Sequence, residues 1–211
     1  VKDPERIEAK TGVPVIATIP RSPILTSLNK KKSSNRRLLA YADNNSISYE
    51  AIKSLRTNLM FGMPSEGLGF QRAKVILITG ESPGVGKSFI SSNLTEVFTQ
   101  LNKKTLIIDA DMRLGQLHKV FNMDQANGLA DYLSQSNDQF KRFDNPLIDI
   151  DKTSGLIDSD ISEFIHSTGI ENMDFMPRGE NPRNPASLLA NGRFDHLMTE
   201  LNLHYDYIII D

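Results

Sequence analysis

Gly80-Glu81-Ser82-Pro83-Gly84-Val85-Gly86-Lys87-Ser88 follows the apolar run Val75-Ile76-Leu77-Ile78 and opens a helical pattern. That order is what a loop for nucleotide phosphates requires. After a buried strand the backbone must turn sharply and aim successive N–H groups at a polyphosphate, so glycines stand where a Cβ would block the approach. Gly84 and Gly86 meet that need. Lys87 can reach the β- and γ-phosphates, Ser88 can offer its hydroxyl to Mg²⁺, and the following helix points its positive end at the anion. One position departs from the usual spacing G-x-x-x-x-G-K-[ST]: Glu81 stands where the first glycine is expected, with Gly80 one place early. A glycine-rich turn that binds nothing would account for this loop taken alone. Two further stretches argue against it.

Leu106-Ile107-Ile108-Asp109-Ala110-Asp111-Met112-Arg113 is a short apolar run ending in two carboxylates spaced i, i+2. In an open parallel sheet, ligands sit beyond the carboxyl ends of the strands, which brings Asp109 toward the site opened by Lys87. One carboxylate there can hold a metal-bound water and the other can accept a proton from an attacking hydroxyl. The plainer alternative is that Asp109 ends a strand and Asp111 caps a helix. Tyr207-Ile208-Ile209-Ile210-Asp211 is a third apolar run that delivers an acid, as a strand supplying the Mg-shell aspartate does.

Composition sets the bounds. With 211 residues, 39% hydrophobic and 24% charged, the chain can bury one sizeable core. No stretch approaches the roughly 18 consecutive apolar residues of a membrane span, and no signal peptide opens the sequence. Cysteine is absent, which excludes disulfides and thiolate metal sites. His118, His166, His196 and His204 form no ligand pair at helical or hairpin spacing, so a structural metal is not expected. A formal net charge of −2 gives no reason to expect a nucleic-acid partner.

Alternation of strand and helix implies an α/β fold of P-loop NTPase type, a mostly parallel central sheet with helices on both faces. Strands are expected at 74–79, 105–108, 173–177 and 205–210, with helices over 88–101 and 186–203. Phe89, Ile90, Leu94, Val97, Phe98 and Leu101 repeat at near-helical spacing and form a core face. Upstream, Pro4–Lys10 reads as a helix and Val15–Ile19 as a short strand closed by Pro20. Residues 22–47 read as a loop with the basic cluster Lys30-Lys31-Lys32 and Arg36-Arg37. A helix over Tyr49–Phe61 follows, with Ser48 as its cap. Residues 134–172 are irregular, with one short helix expected near Ser159–His166. The chain thus divides into a segment 1–48 and a nucleotide domain 49–211. Asp211 ends what should be a central strand, so the sequence reads as a fragment.

These residues resemble a known family. Thr79 through Ser88, Asp109-x-Asp111-x-Arg113 and Tyr207 through Asp211 look like the Walker A, A′ and B motifs of bacterial tyrosine kinases, in particular the cytoplasmic domain of Wzc-like polysaccharide co-polymerases. Asp3-Pro4 through Pro20 is similar to the stretch after the second membrane helix of such proteins, which would make residues 1–48 juxtamembrane-like. Met176-Pro177-Arg178-Gly179 and Asn184 through Leu189 resemble the segment before the last Walker strand.

The resemblance implies a tyrosine autokinase using ATP and Mg²⁺, regulating capsule or exopolysaccharide export, in the cytoplasmic part of a bacterial inner-membrane protein. Lys87, Asp109 and Asp111 would be catalytic. Ser82, Gly84, Val85, Gly86, Lys87, Ser88, Phe89 and Arg113 would hold the nucleotide, and Ser88, Asp109 and Asp211 the metal. Glu50, Lys53 and Arg56 resemble the E-x-x-R-x-x-R motif through which family members form a ring, each tail reaching a neighbour. Lys53 replaces an arginine there and loses the bidentate fork. Spacing alone favours an ordinary solvated face there. Enteric members carry a regulatory tyrosine shortly after the A′ arginine, where this chain has Leu114-Gly115-Gln116. Further implied partners are a cognate tyrosine phosphatase and the export machinery.

The alternative class is a deviant-Walker switch ATPase of the partitioning or division-site type. Its signature lysine would fall at Ser82, which disfavours it. A nucleotide-sensing assembly module with little catalysis is the third reading, against which Asp109 argues.

Overall fold

The computed structural model describes residues 3–22, 37–63, 73–135, 157, 159–182, 184–190 and 192–211. Among them, five strands form one sheet: β1 (Lys74–Leu77), β2 (Thr105–Ile108), β3 (His166–Ser167), β4 (Met173–Met176) and β5 (Tyr207–Ile210). Their spatial order is β1-β5-β2-β4-β3, with the first four parallel and β3 antiparallel to β4. The register is aligned across the parallel strands: Lys74 faces Tyr207, Tyr207 faces Thr105, and Thr105 faces Met173.

The apolar runs dictate this arrangement. β2 and β5 are buried at all four positions, as parallel strands covered on both faces must be. Side chains alternate between faces. Ile107, Ile209 and Phe175 join one core with Leu94, Val97 and Phe98. Leu106, Ile108, Ile208, Ile210 and Met176 join a second with Tyr132, Leu197 and Leu201. β1 lies at the sheet edge, and there Val75 and Leu77 remain exposed.

Helices α1 (Pro4–Thr11), α2 (Leu39–Ala42), α3 (Ile47–Gly62) and α4 (Lys87–Thr99) include the two that cover the first core, α3 and α4. The other described helices are α5 (Leu117–Phe121), α6 (Leu129–Ser134), α7 (Ser159–Ser162), α8 (Pro185–Leu189) and α9 (Gly192–His204). Every residue of α4 from Ser91 to Thr99 is buried. Its hydroxyls survive burial by bonding back along the helix: Ser91 to the Lys87 carbonyl at 3.0 Å, Ser92 to Ser88 at 2.7 Å, Thr95 to Ser91 at 2.7 Å. Leu101, expected on the core face, lies beyond the helix end and is 40% exposed.

Several expectations need correction. Val15–Ile19 is no strand. It keeps a strand's alternation, with Ala17 and Ile19 packed on the first core, but no ladder among the described residues reaches it. Side chains take its backbone groups instead: Asn58 donates to the Ile16 carbonyl at 2.7 Å and Val15 N–H donates to Glu8 at 2.6 Å. The cap of α3 is Ser46, whose hydroxyl accepts from Tyr49 N–H at 3.2 Å, while Ser48 donates to the Pro20 carbonyl at 2.9 Å. Ser46→Ala should therefore lower the unfolding free energy by about 1 kcal/mol, read as a shifted urea midpoint. A boundary at 48 would cut α3, and Leu38 and Leu39 already belong to the first core. The helix expected over 186–203 is two, α8 and α9. The short helix near Ser159 ends at Ser162, and His166 begins β3. Lys30-Lys31-Lys32 and Arg36 lie outside the described residues, as do 136–156 of the irregular stretch. No described helix is long and apolar enough to cross a membrane.

Candidate functional site

At the carboxyl ends of β1, β2 and β5 the three acidic and glycine-rich stretches converge. Gly84 and Gly86 have φ of +78° and +107°, left-handed values that favour glycine, and Gly86 is the N-cap of α4. Gly80 sits against the other end of the loop. A Cβ there would stand 2.6 Å from Val85 Cγ2 and 3.0 Å from Lys87 Cγ, so the displaced glycine is where the two ends of the loop cross. Ser82 and Val85 are exposed on the loop, whereas Phe89 packs from the first turn of α4 onto the first core.

Asp211 accepts two hydroxyls from α4, Ser88 at 2.6 Å and Ser91 at 2.7 Å. Ladder bonds run from Ala110 N–H to the Asp211 carbonyl at 3.0 Å and from Asp211 N–H to the Ile108 carbonyl at 3.0 Å. These hold Asp109 and Asp211 side by side. Asp109 is fully buried; one carboxylate oxygen accepts from Leu117 N–H at 3.2 Å and the other, Oδ1, has no partner. Burial pushes its pKa up to about 7; the Leu117 N–H opposes this, and the charges of Asp211 and Asp111 add to it. Asp111 behaves oppositely. Partial burial pushes it upward, but the N–H groups of Leu114 and Arg113 and the Lys87 ammonium at 3.6 Å outweigh that and hold it below the usual carboxylate range.

A divalent cation fits this set. Two carboxylates on adjacent strands face a hydroxyl, one buried oxygen lacks a donor, and the mutual repulsion is uncompensated. Among the described residues no group of three or more histidines, aspartates or glutamates could hold a metal by itself. The remaining ligands would have to come from phosphate and water, as around Mg²⁺.

The structure thus gathers Lys87, Ser88, Asp109, Asp111 and Asp211, with Arg113 exposed at the rim. Ser91 went unread in the sequence because a serine inside a helix carries no mark of a tertiary partner. The face of α3 with Glu50, Lys53 and Arg56 is divided. Glu50 pairs with Lys53 at 2.5 Å, while the Arg56 guanidinium turns inward to donate to the Val97 carbonyl at 2.5 Å. Nearby, Tyr49 donates to the buried carboxylate of Glu96 at 3.0 Å and Gln100 bonds both. Burial raises the Glu96 pKa and, with Glu96 beside it, pushes Tyr49 up to about 12.

Known proteins are similar to this chain. A family model described as an AAA domain matches residues 73–211. The tyrosine-protein kinase ptk of Acinetobacter johnsonii is 35% identical over 215 residues, covering 100% of this chain and 25% of that protein. A putative tyrosine-protein kinase in the cps region of Klebsiella pneumoniae is 35% identical over 217 residues, covering 100% of this chain and 26% of its own length. The chain therefore spans about a quarter of these curated relatives. Among solved structures, the kinase domain of the Escherichia coli tyrosine kinase ETK superposes with a TM-score of 0.77 at 32% identity, covering 100% of this chain and 72% of that one.

Proposed function

The chain belongs to the bacterial tyrosine kinase family, and from that membership we propose that it transfers the γ-phosphoryl group of ATP to tyrosine hydroxyls. The observation that carries this reading is the pairing of a buried carboxyl poised near neutrality with a neighbouring carboxylate held ionised, the latter 3.6 Å from the P-loop lysine.

Each residue then has a mechanical role. The backbone of residues 82–86 cradles the phosphates, and Lys87 pairs with the oxygens that gain negative charge as transfer proceeds. Arg113 approaches them from the rim. Ser88, Asp109 and Asp211 would hold Mg²⁺, which would neutralise phosphate charge when bound. The incoming tyrosine oxygen forms a bond to the γ-phosphorus as the bond to the β,γ-bridging oxygen breaks. ADP departs, and the phenolic proton passes to the Asp109 carboxylate, whose Oδ1 has no donor of its own. Asp111 keeps Lys87 oriented.

Because the relatives are about four times longer, the wider setting is likewise proposed. The chain would be the cytoplasmic part of an inner-membrane protein acting in capsular or exopolysaccharide export, a setting supported by the Klebsiella relative's cps region. It would assemble with itself through α3 and be reversed by a phosphatase.

The test follows protein-bound phosphotyrosine and free phosphate together, using ATP labelled on the γ-phosphate and a tyrosine copolymer as acceptor. Protein label that vanishes in Lys87→Met supports the kinase. Free phosphate without protein label sinks it.

A further inference from the structure

The Asp211 side chain is held by α4 alone. Among the described residues its carboxylate accepts from the Ser88 hydroxyl at 2.6 Å on Oδ2 and from the Ser91 hydroxyl at 2.7 Å on Oδ1, and from no backbone N–H or cation. The two serines stand three residues apart on one face of the helix. Ser88 is half-buried in the first turn, next to Lys87, whereas Ser91 is a turn further along and fully buried.

The Ser91 hydroxyl has one proton to share between two acceptors, the Lys87 carbonyl at 3.0 Å and Asp211 Oδ1 at 2.7 Å. The carboxylate is both nearer and charged, so it receives the stronger bond. Ser92 and Thr95 show that burial alone does not call for such a partner. Ser92 is satisfied by the carbonyls of Ser88 at 2.7 Å and Phe89 at 3.3 Å, and Thr95 by that of Ser91 at 2.7 Å. The contact of Ser91 with Asp211 therefore serves the carboxylate.

What it serves is orientation. An aspartate carboxylate turns about a broad, nearly two-fold torsion, so its own side chain does not fix its plane. The charge of Asp109 on the adjacent strand pushes against it. With Ser88 and Oδ2 turned over to a cation, the bond from Ser91 to Oδ1 is the one left to set that plane.

We propose that Ser91 is a positioning residue for the divalent cation, acting through Asp211 rather than as a ligand: it holds Oδ1 and so keeps Oδ2 aimed at Ser88. The inference rests on the Mg²⁺ site of the kinase reading and is indifferent to which group accepts the phosphoryl.

The test counts metal and not phosphotyrosine. Mn²⁺, standing in for Mg²⁺, is titrated into the protein–ADP complex with protein in excess over nucleotide, and the free ion is followed by electron paramagnetic resonance. ADP affinity is measured separately in EDTA. Ser91→Ala should weaken Mn²⁺ binding about tenfold while changing the metal-free ADP affinity by less than about twofold. Ser92→Ala removes an equally buried hydroxyl that reaches no carboxylate, and both affinities should stay at their wild-type values. Ser91→Cys refills the space with a poor donor and should fall between wild type and Ser91→Ala; it also keeps the question open to measurement if Ser91→Ala fails to fold. Wild-type Mn²⁺ affinity in Ser91→Ala or in Ser91→Cys would overturn the proposal, the second by showing that filling the space is enough. So would an equal loss in Ser92→Ala, or a metal-free ADP affinity that falls in parallel. A wild-type complex that takes up no Mn²⁺ would overturn it together with the metal site, whereas a failed kinase assay beside normal Mn²⁺ uptake would remove only the kinase reading.

Discussion

Replacing Asp109 with asparagine should cut phosphotyrosine formation by about a thousandfold and, at pH 8, make the nucleotide-free protein more stable by about 2 kcal/mol. Both effects come from one buried charge. Asp109 has lost its water, gained only backbone N–H groups in exchange and been set against two other carboxylates. Its folded pKa of about 7 stands above the ordinary aspartate value of 3.8. Below the lower value both folded and unfolded chains hold the proton and nothing is lost. As pH rises through that interval the unfolded chain releases the proton first, so the folded state weakens progressively. Above pH 7 the penalty is complete. A shift of this size corresponds to roughly 4 kcal/mol, of which an imperfectly seated amide should recover about half. Urea melts of wild type and Asp109→Asn should therefore change order, the variant more stable by about 2 kcal/mol at pH 8 and less stable by about as much at pH 4. Equal stability at both pH values would show that Asp109 is not held against its charge. The catalytic loss follows because an amide can neither take the phenolic proton nor oppose a cation.

Gly128→Ala should lower stability by about 3 kcal/mol, a fall of about 10 °C in Tm for a chain of this size. Conformation is not the cause, since φ at Gly128 is −135°. The cause is crowding by backbone. A Cβ would overlap the Pro177 carbonyl oxygen and come within 2.5 Å of Gly179 N. These atoms cannot rotate away, because α6 is tied to the loop after β4 at several points. Leu129 N–H donates to Pro177 at 2.8 Å, Ala130 N–H to Arg178 at 2.8 Å, and Asp131 accepts from Gly128 at 2.9 Å and Glu180 at 3.1 Å. Gly62→Ala is the internal control. No atom lies within 4 Å of a Cβ there and the residue is helical, so that change should be neutral or slightly stabilising. A Gly128→Ala protein with wild-type Tm would show that α6 can move off the loop freely.

What was legible in the sequence was whatever a single element must declare by itself. Lys87, Ser88, Asp109 and Asp211 stand out because packing gives no reason to set a polar residue at the end of a buried apolar run. What escaped depended on partners far along the chain. Ser91 bonds to Asp211, 120 residues away. Arg178 looks like any loop arginine until its burial is known. Val15–Ile19 has the period of a strand, but a strand also needs an edge to pair with, which its own residues cannot specify. Ser46 and Ser48 are equivalent in composition, and only the fold shows which one faces Tyr49 N–H. The break between α8 and α9 did have a local sign, Asn191-Gly192, which the helical spacing of the surrounding apolar residues overrode.

The strand that brings Asp211 is the latest of the five in the chain, yet it fills the gap between β1 and β2. During synthesis the ribosome therefore releases two apolar strand edges about a hundred residues before the piece that joins them. Until residues 207–210 emerge, β1 and β2 flank an open slot that any β-forming segment could enter, and neither the serines of α4 nor Asp109 has its neighbour. Nucleotide affinity should consequently appear abruptly on the nascent chain rather than grow with its length, and the interval before that moment is when this protein is most exposed to misassembly.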